Sequence, residues 1–185
     1  MKNKILPICD HLVLIILTLA SFAALFFQLT LAELPCALCV MQRMGLYAIS
    51  IGLLLNLSRG YHSKHYLMVI LAALITSFMA LIQILLHIVP GTGSYGDALW
   101  GLHLYTWTFI LCMACIIYAT LAGLFVQEKA ALISNGYFSK ILFSFLFISL
   151  ILNIISAFME SGPYLCPSDP QSYWLLDIIH GKPWS

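Results

Sequence analysis

The chain has 185 residues, 62% of them hydrophobic and only 8% charged, with a net charge of +1 and a mean hydropathy of +1.00. A soluble domain carries about 25% charged residues, so this composition excludes a water-soluble globule and indicates an integral membrane protein. No basic run long enough to grip a phosphate backbone occurs, nor a glycine-rich phosphate loop, an H-E-x-x-H pair or a G-x-S-x-G elbow, so no nucleic-acid partner is expected.

Crossing the hydrocarbon core takes about 20 apolar residues as a helix, because lipid offers no partner for an unpaired backbone group. Five segments qualify in chain order: residues 12–32, 38–57, 66–89, 102–126 and 141–159. The first follows Lys2 and Lys4 as a signal peptide would, but its apolar run is too long and no A-x-A site follows, so it reads as a retained helix. The fifth comes after the polar stretch QEKAALISNGYFSK. An N-terminus in the cytoplasm puts Lys2, Lys4, Arg59, Lys64, Lys129 and Lys140 inside, six of the eight cations. Arg43 and Lys182 then lie toward the outer side, with Glu33, Asp97, Glu160, Asp169 and Asp177.

This topology sorts the six cysteines. Cys9 is cytoplasmic, Cys112 and Cys115 fall about ten residues into the fourth span, and Cys36, Cys39 and Cys166 face outward. Cys36 and Cys39 form a C-x-x-C pair in ELPCALCVMQR, after Pro35 and at the start of the second helix. The free N–H groups of a first helical turn and its positive dipole end stabilise a thiolate, and Arg43 at i+4 from Cys39 adds a fixed charge on the same face. The thiolate is the reactive form, so the pair reads as a redox dithiol. A structural disulfide or half of a metal site is the alternative; zinc normally needs two further ligands, and His103, Cys166 and His180 have no recognisable spacing for that.

Arg43 lies roughly 7 Å inside the interface at 1.5 Å per residue. It either snorkels to anchor the helix end or donates to a carbonyl oxygen of a ligand held in the bilayer. A lipid quinone suits the second reading, since it has two carbonyls and accepts the two electrons that a dithiol releases. His87, in IQILLHIVPG at a similar depth, is either an interfacial anchor or a partner for the other quinone oxygen; Gln83, one turn deeper on that face, is a weaker candidate. His103, Trp100, Tyr105 and Trp107 read as an aromatic belt, and His62 and His65 as loop residues. Cys112 and Cys115, at i and i+3 on one helix, are expected to pack without bridging.

The segment PCALCVMQR, residues 35–43, resembles the P-C-x-L-C-x-x-x-R signature of the disulfide bond formation protein B family, in the same place at the outer start of the second helix. Members are bacterial inner-membrane enzymes that reoxidise a periplasmic thiol oxidase and pass the electrons to quinone. The resemblance covers residues 12–126, the family's four-helix core. It implies that Cys39 contacts the quinone, ubiquinone or menaquinone, that Cys36 takes electrons from the next thiol, and that Arg43 binds the quinone head group. A family histidine near the end of the third helix is matched here by His87. The expected partner is a thioredoxin-fold thiol oxidase.

Two departures stand out. The family's second cysteine pair, between helices three and four, is missing from PGTGSYGDALWG. A fifth helix and an outer tail, GPYLCPSDPQSYW, are added, and the tail carries Cys166 either as one half of the missing shuttle or as a bystander. The expected architecture is therefore an all-α integral membrane protein, a four-helix transmembrane bundle plus a fifth helix. Its expected parts are a redox core (1–127), a cytoplasmic linker with the fifth helix (128–159) and an extracytoplasmic tail (160–185). The expected activity is thiol:quinone oxidoreduction. The rivals are a quinone-linked enzyme of the vitamin K epoxide reductase-like type, whose C-x-x-C comes late in the bundle, and a non-enzymatic membrane protein binding a metal or partner through its outer face.

Overall fold

Each of the five apolar runs forms a helix long and apolar enough to cross a membrane: α1 (Ile5–Thr30), α2 (Ala37–Arg59), α3 (Ser63–His87), α4 (Leu104–Phe125) and α5 (Tyr137–Ser161). The chain is an all-α, multi-pass membrane protein. The computed structural model describes residues 5–31, 33–89, 91, 93, 96, 98–126, 129–130, 137–164, 166 and 172–180. Lys2, Lys4, Asp97, Asp169 and Lys182, named above for topology, lie outside these residues, as does Pro90.

Helix ends follow local chemistry. Pro7 sits in the first turn of α1, where its missing N–H costs nothing. The Sγ of Cys36 caps α2 by accepting the N–H of Cys39 at 3.1 Å. Gly60, at φ 105°, ends α2, and its N–H reaches the Asn56 carbonyl. Gly60–Tyr61 (β1) pairs antiparallel with Lys129–Ala130 (β4), and Ala98–Leu99 (β2) with Leu102–His103 (β3). This second pairing starts α4 at Leu104, two residues later than hydropathy suggests.

At the other end of α1 the helix begins at Ile5, well before residue 12, because its polar residues have partners inside the bundle. Asp10, fully buried, accepts from Tyr66 of α3 at 3.1 and 3.2 Å and from Tyr118 of α4. His11 of α1 pairs through Nε2 with Ser139 of α5 at 2.8 Å. His65 is a second departure from the sequence reading. It lies in the first turn of α3, not in a loop, with Nδ1 3.0 Å from Asn56 Oδ1, while the N–H of His62 donates to the same oxygen.

The helix α2 lies centrally, packed against α1, α3 and α5, while α3 and α4 form the most extensive pairing. Two glycines allow α2 and α3 to approach closely. A Cβ on Gly45 would stand 1.9 Å from Thr76 Oγ1, and one on Gly52 2.6 Å from Val69 Cγ2. Cys112 and Cys115 are free thiols in the apolar core with Leu14, Leu53 and Ala119. A short sixth helix, α6 (Trp174–Ile179), was not expected from the polar tail. It docks on α5 through Trp174, which meets Phe158 and Tyr164 edge-on and covers Gly162, at φ +61° the residue that ends α5.

Candidate redox site

Sparse contact between α1 and α4 leaves a gap in the bundle wall. Ala20, Ala23 and Ala24 of α1 keep that gap open, and it forms a cavity of about 540 Å³, within the usual range for ligand sites. Its walls are overwhelmingly apolar, and lining residues Ile16, Leu19 and Ile110 are also exposed on the outside of the bundle. The cavity therefore opens sideways, toward where lipid would lie. Its polar lining comprises Glu33, Cys39, Gln42, Arg43 and Gln83, with Tyr105, Trp107 and Thr108 of α4.

Cys36 and Cys39 are joined as a disulfide at the start of α2. Cys39 faces the cavity, whereas Cys36 is only 4% exposed and does not line it. The amide of Gln83, on the facing turn of α3, donates through Nε2 to both sulfurs, at 3.3 Å to Cys36 and 3.4 Å to Cys39. Its orientation is fixed from behind, since Gln42 Nε2 donates to Gln83 Oε1 at 2.6 Å. With the disulfide reduced, those N–H groups and the helix start would both stabilise a thiolate.

Arg43 lines the same cavity, and its guanidinium is held by acceptors from two other helices. Nη1 donates to Gln28 Oε1 of α1 at 2.7 Å and to Asn153 Oδ1 of α5 at 3.4 Å, and Nη2 to the Ala24 carbonyl at 3.1 Å. These contacts point across the bundle, unlike those of a side chain snorkelling to the surface. Gln28 is itself held by Ser156 Oγ at 2.6 Å and Tyr173 Oη at 3.3 Å.

A family model for disulfide bond formation protein DsbB matches residues 8–94. Residues 8–94 are thus similar to the disulfide bond formation protein B family. The match spans α1 to α3, including the disulfide, Arg43 and Gln83, and stops in the connection before α4. Comparisons with curated proteins and with solved structures return no match. That similarity suggests an oxidoreductase role in disulfide formation at a membrane.

Of the four residues that the resemblance singles out, Cys39 and Arg43 line the cavity, Cys36 is bonded to Cys39 but does not line it, and His87 is set apart. His87 does not line it; its ring stacks on Tyr105, a cavity wall residue, at 5.8 Å, and its Nδ1 lies 3.2 Å from the Gly93 carbonyl. His103 stacks on Tyr105 as well, at 5.3 Å, so Tyr105 is a buried wall residue flanked by two imidazoles, not part of an interfacial belt. Trp107 also lines the cavity, its Nε1–H donating to the Leu99 carbonyl, whereas Trp100 is exposed. Cys166 is a free, half-buried thiol between α5 and α6 and is not among the cavity's lining residues. Sequence reasoning missed Gln28, Gln42 and Asn153. The signal was available in each case: a polar side chain inside an apolar span almost always faces a partner or a cavity.

Proposed function

We propose that this chain is a bacterial inner-membrane thiol:quinone oxidoreductase, with its N-terminus in the cytoplasm and its disulfide on the periplasmic side. It oxidises the dithiol of a thioredoxin-fold partner and passes the electrons to ubiquinone or menaquinone. The supporting observation is the disulfide whose inner sulfur, Cys39, faces an apolar cavity open toward the bilayer.

The residues present fit a quinone: apolar walls for the ring and tail, and polar donors in the lining for its oxygens. When bound, the quinone supplies a sink for two electrons and two protons. Arg43, which lines the cavity, would donate to one carbonyl oxygen of a bound quinone, and its fixed charge would favour electron density there. His87, stacked behind Tyr105, would steady that wall of the cavity. A partner thiolate attacks Cys36 and expels Cys39 as a thiolate, forming a mixed disulfide; the partner's second thiol then resolves it, releasing Cys36 and carrying away a disulfide of its own. Gln83 holds the Cys39 thiolate from the moment it is expelled. Return of Cys36 and Cys39 to the disulfide releases the two electrons and two protons, so the cycle balances. Because Cys36 is buried, a second route runs through Cys166 of the tail, which takes the partner's place in the mixed disulfide with Cys36 and is then freed by a partner thiolate that attacks that bond.

The test is steady-state oxidation of a reduced thioredoxin-fold dithiol protein by the reconstituted chain, with ubiquinone or menaquinone as acceptor. Turnover that needs both protein and quinone, is lost in Cys36→Ser and falls in Cys166→Ser is expected. Full turnover in Cys166→Ser would remove the relay. Stoichiometric metal binding at Cys36 and Cys39 with no quinone-dependent turnover would overturn the whole reading.

A further inference from the structure

Beyond the family match, which ends before α4, the C-terminal part of the chain turns a row of polar side chains into the bundle. Ser149, Asn153 and Ser156 recur at i, i+4 and i+7 on α5, one face of the helix that also packs Leu142 and Leu146 into the core. A polar stripe on a membrane helix is costly unless partners or a site use it. This one leads to Arg43.

Two amides meet the guanidinium, and both are held in the same sense. A guanidinium only donates, so each amide presents its oxygen: Gln28 Oε1 at 2.7 Å and Asn153 Oδ1 at 3.4 Å. Their N–H groups are taken up from behind. Asn153 Nδ2 donates to Tyr47 Oη at 2.6 Å and to the Ser149 carbonyl at 3.0 Å. Gln28 Nε2 donates to Ser156 Oγ of α5 at 2.6 Å and to Tyr173 Oη, at the start of α6, at 3.3 Å. Gln28 is 1% exposed, so an amide N–H left there without an acceptor would be costly. Tyr173 thus reaches from the tail that carries Cys166 to an acceptor of the cavity-lining arginine.

We propose that the C-terminal segment is a working part of the quinone site, with Tyr173 as a positioning residue: its hydroxyl fixes the Gln28 amide, and Gln28 with Asn153 sets where the Arg43 guanidinium stands in the cavity wall. The inference rests on the quinone reading above. Docking of α6 through Trp174 brings Tyr173 to Gln28, so the contact that seats the tail also readies the donor for a quinone oxygen. A tail displaced from α5 leaves Gln28 free to turn, and quinone affinity falls as Arg43 loses its acceptor at 2.7 Å. No electron or proton passes through these residues; they act only through Arg43.

Two readouts on the full-length protein test this, with Gln28→Leu and with Tyr173→Phe, which keeps the ring and removes only the hydroxyl. The first is single turnover of the reduced protein over a range of short-chain quinone concentrations. Tyr173→Phe should raise the half-saturating concentration about 3- to 10-fold, as for one lost hydrogen bond, with a limiting rate within about twofold of wild type. A half-saturating concentration equal to that of wild type overturns the proposal. So does a shift that persists when Tyr173→Phe is added to Gln28→Leu, since Tyr173 would then act by another route. The second readout is the thermal midpoint of the quinone-free protein. The double variant should melt no lower than Gln28→Leu alone, and additive losses overturn the link between Tyr173 and Gln28 whatever quinone does. Wild type that reduces no quinone would instead sink the functional reading, and the midpoints would still decide the link.

Discussion

Gln83 holds both sulfurs of the disulfide from the neighbouring helix, and Gln42 holds Gln83. Replacing Gln83 by Leu removes the donor to the emerging thiolate and strands the Gln42 amide. A hydrogen bond to a charged group contributes about 1.5–3 kcal/mol, so single-turnover oxidation of the reduced protein should slow roughly 10- to 100-fold. A rate within twofold of wild type would show that the amide is mere packing. Arg43 is held by three acceptors whose geometry suits a planar guanidinium. Lysine cannot satisfy all three, so Arg43→Lys should raise the quinone KM despite its retained charge, and an unchanged KM would show that charge alone matters. Gln83 and His87 lie four residues apart on one helix face, and the sequence ranks His87 first. Only the connection after α3, which pairs with His87 at Gly93 and brings Tyr105 under its ring, shows which of the two meets the thiols.

At the scale of elements, the approach of α2 to α3 sets the distance from Gln83 to the disulfide. Gly45 permits that approach, with no room for a Cβ beside Thr76. Overpacking of this kind costs about 1–3 kcal/mol, so Gly45→Ala should lower the thermal midpoint and Thr76→Ala should partly restore it. A variant as stable as wild type would mean that the helices separate freely. The spans were legible because hydropathy alone dictates a membrane helix. The ends were less so, since Asp10 and His11 look like a polar flank until Tyr66, Tyr118 and Ser139 are placed beside them. The helix α6 was hidden for a simpler reason: six residues are too few to show a period, and Trp174 docks it on α5.

For the molecule as a whole, the cations Arg59, Lys64 and Lys140 lie at the end opposite the disulfide. A membrane-impermeant maleimide applied to intact spheroplasts should label Cys166 and spare Cys9 until the membrane is opened; the reverse would invert the topology. The motif around Cys36 and Cys39 was readable in one line of sequence, but the cavity it serves was not, because the cavity exists only where α1 and α4 fail to close. The central claim is that the disulfide empties its electrons into that cavity. Stopped-flow mixing of the reduced, detergent-purified protein with a short-chain quinone tests it most directly, following quinone absorbance and free thiols together. The account predicts two thiols lost per quinone reduced, with no reaction in Cys39→Ser. Unchanged quinone with both thiols intact would contradict it.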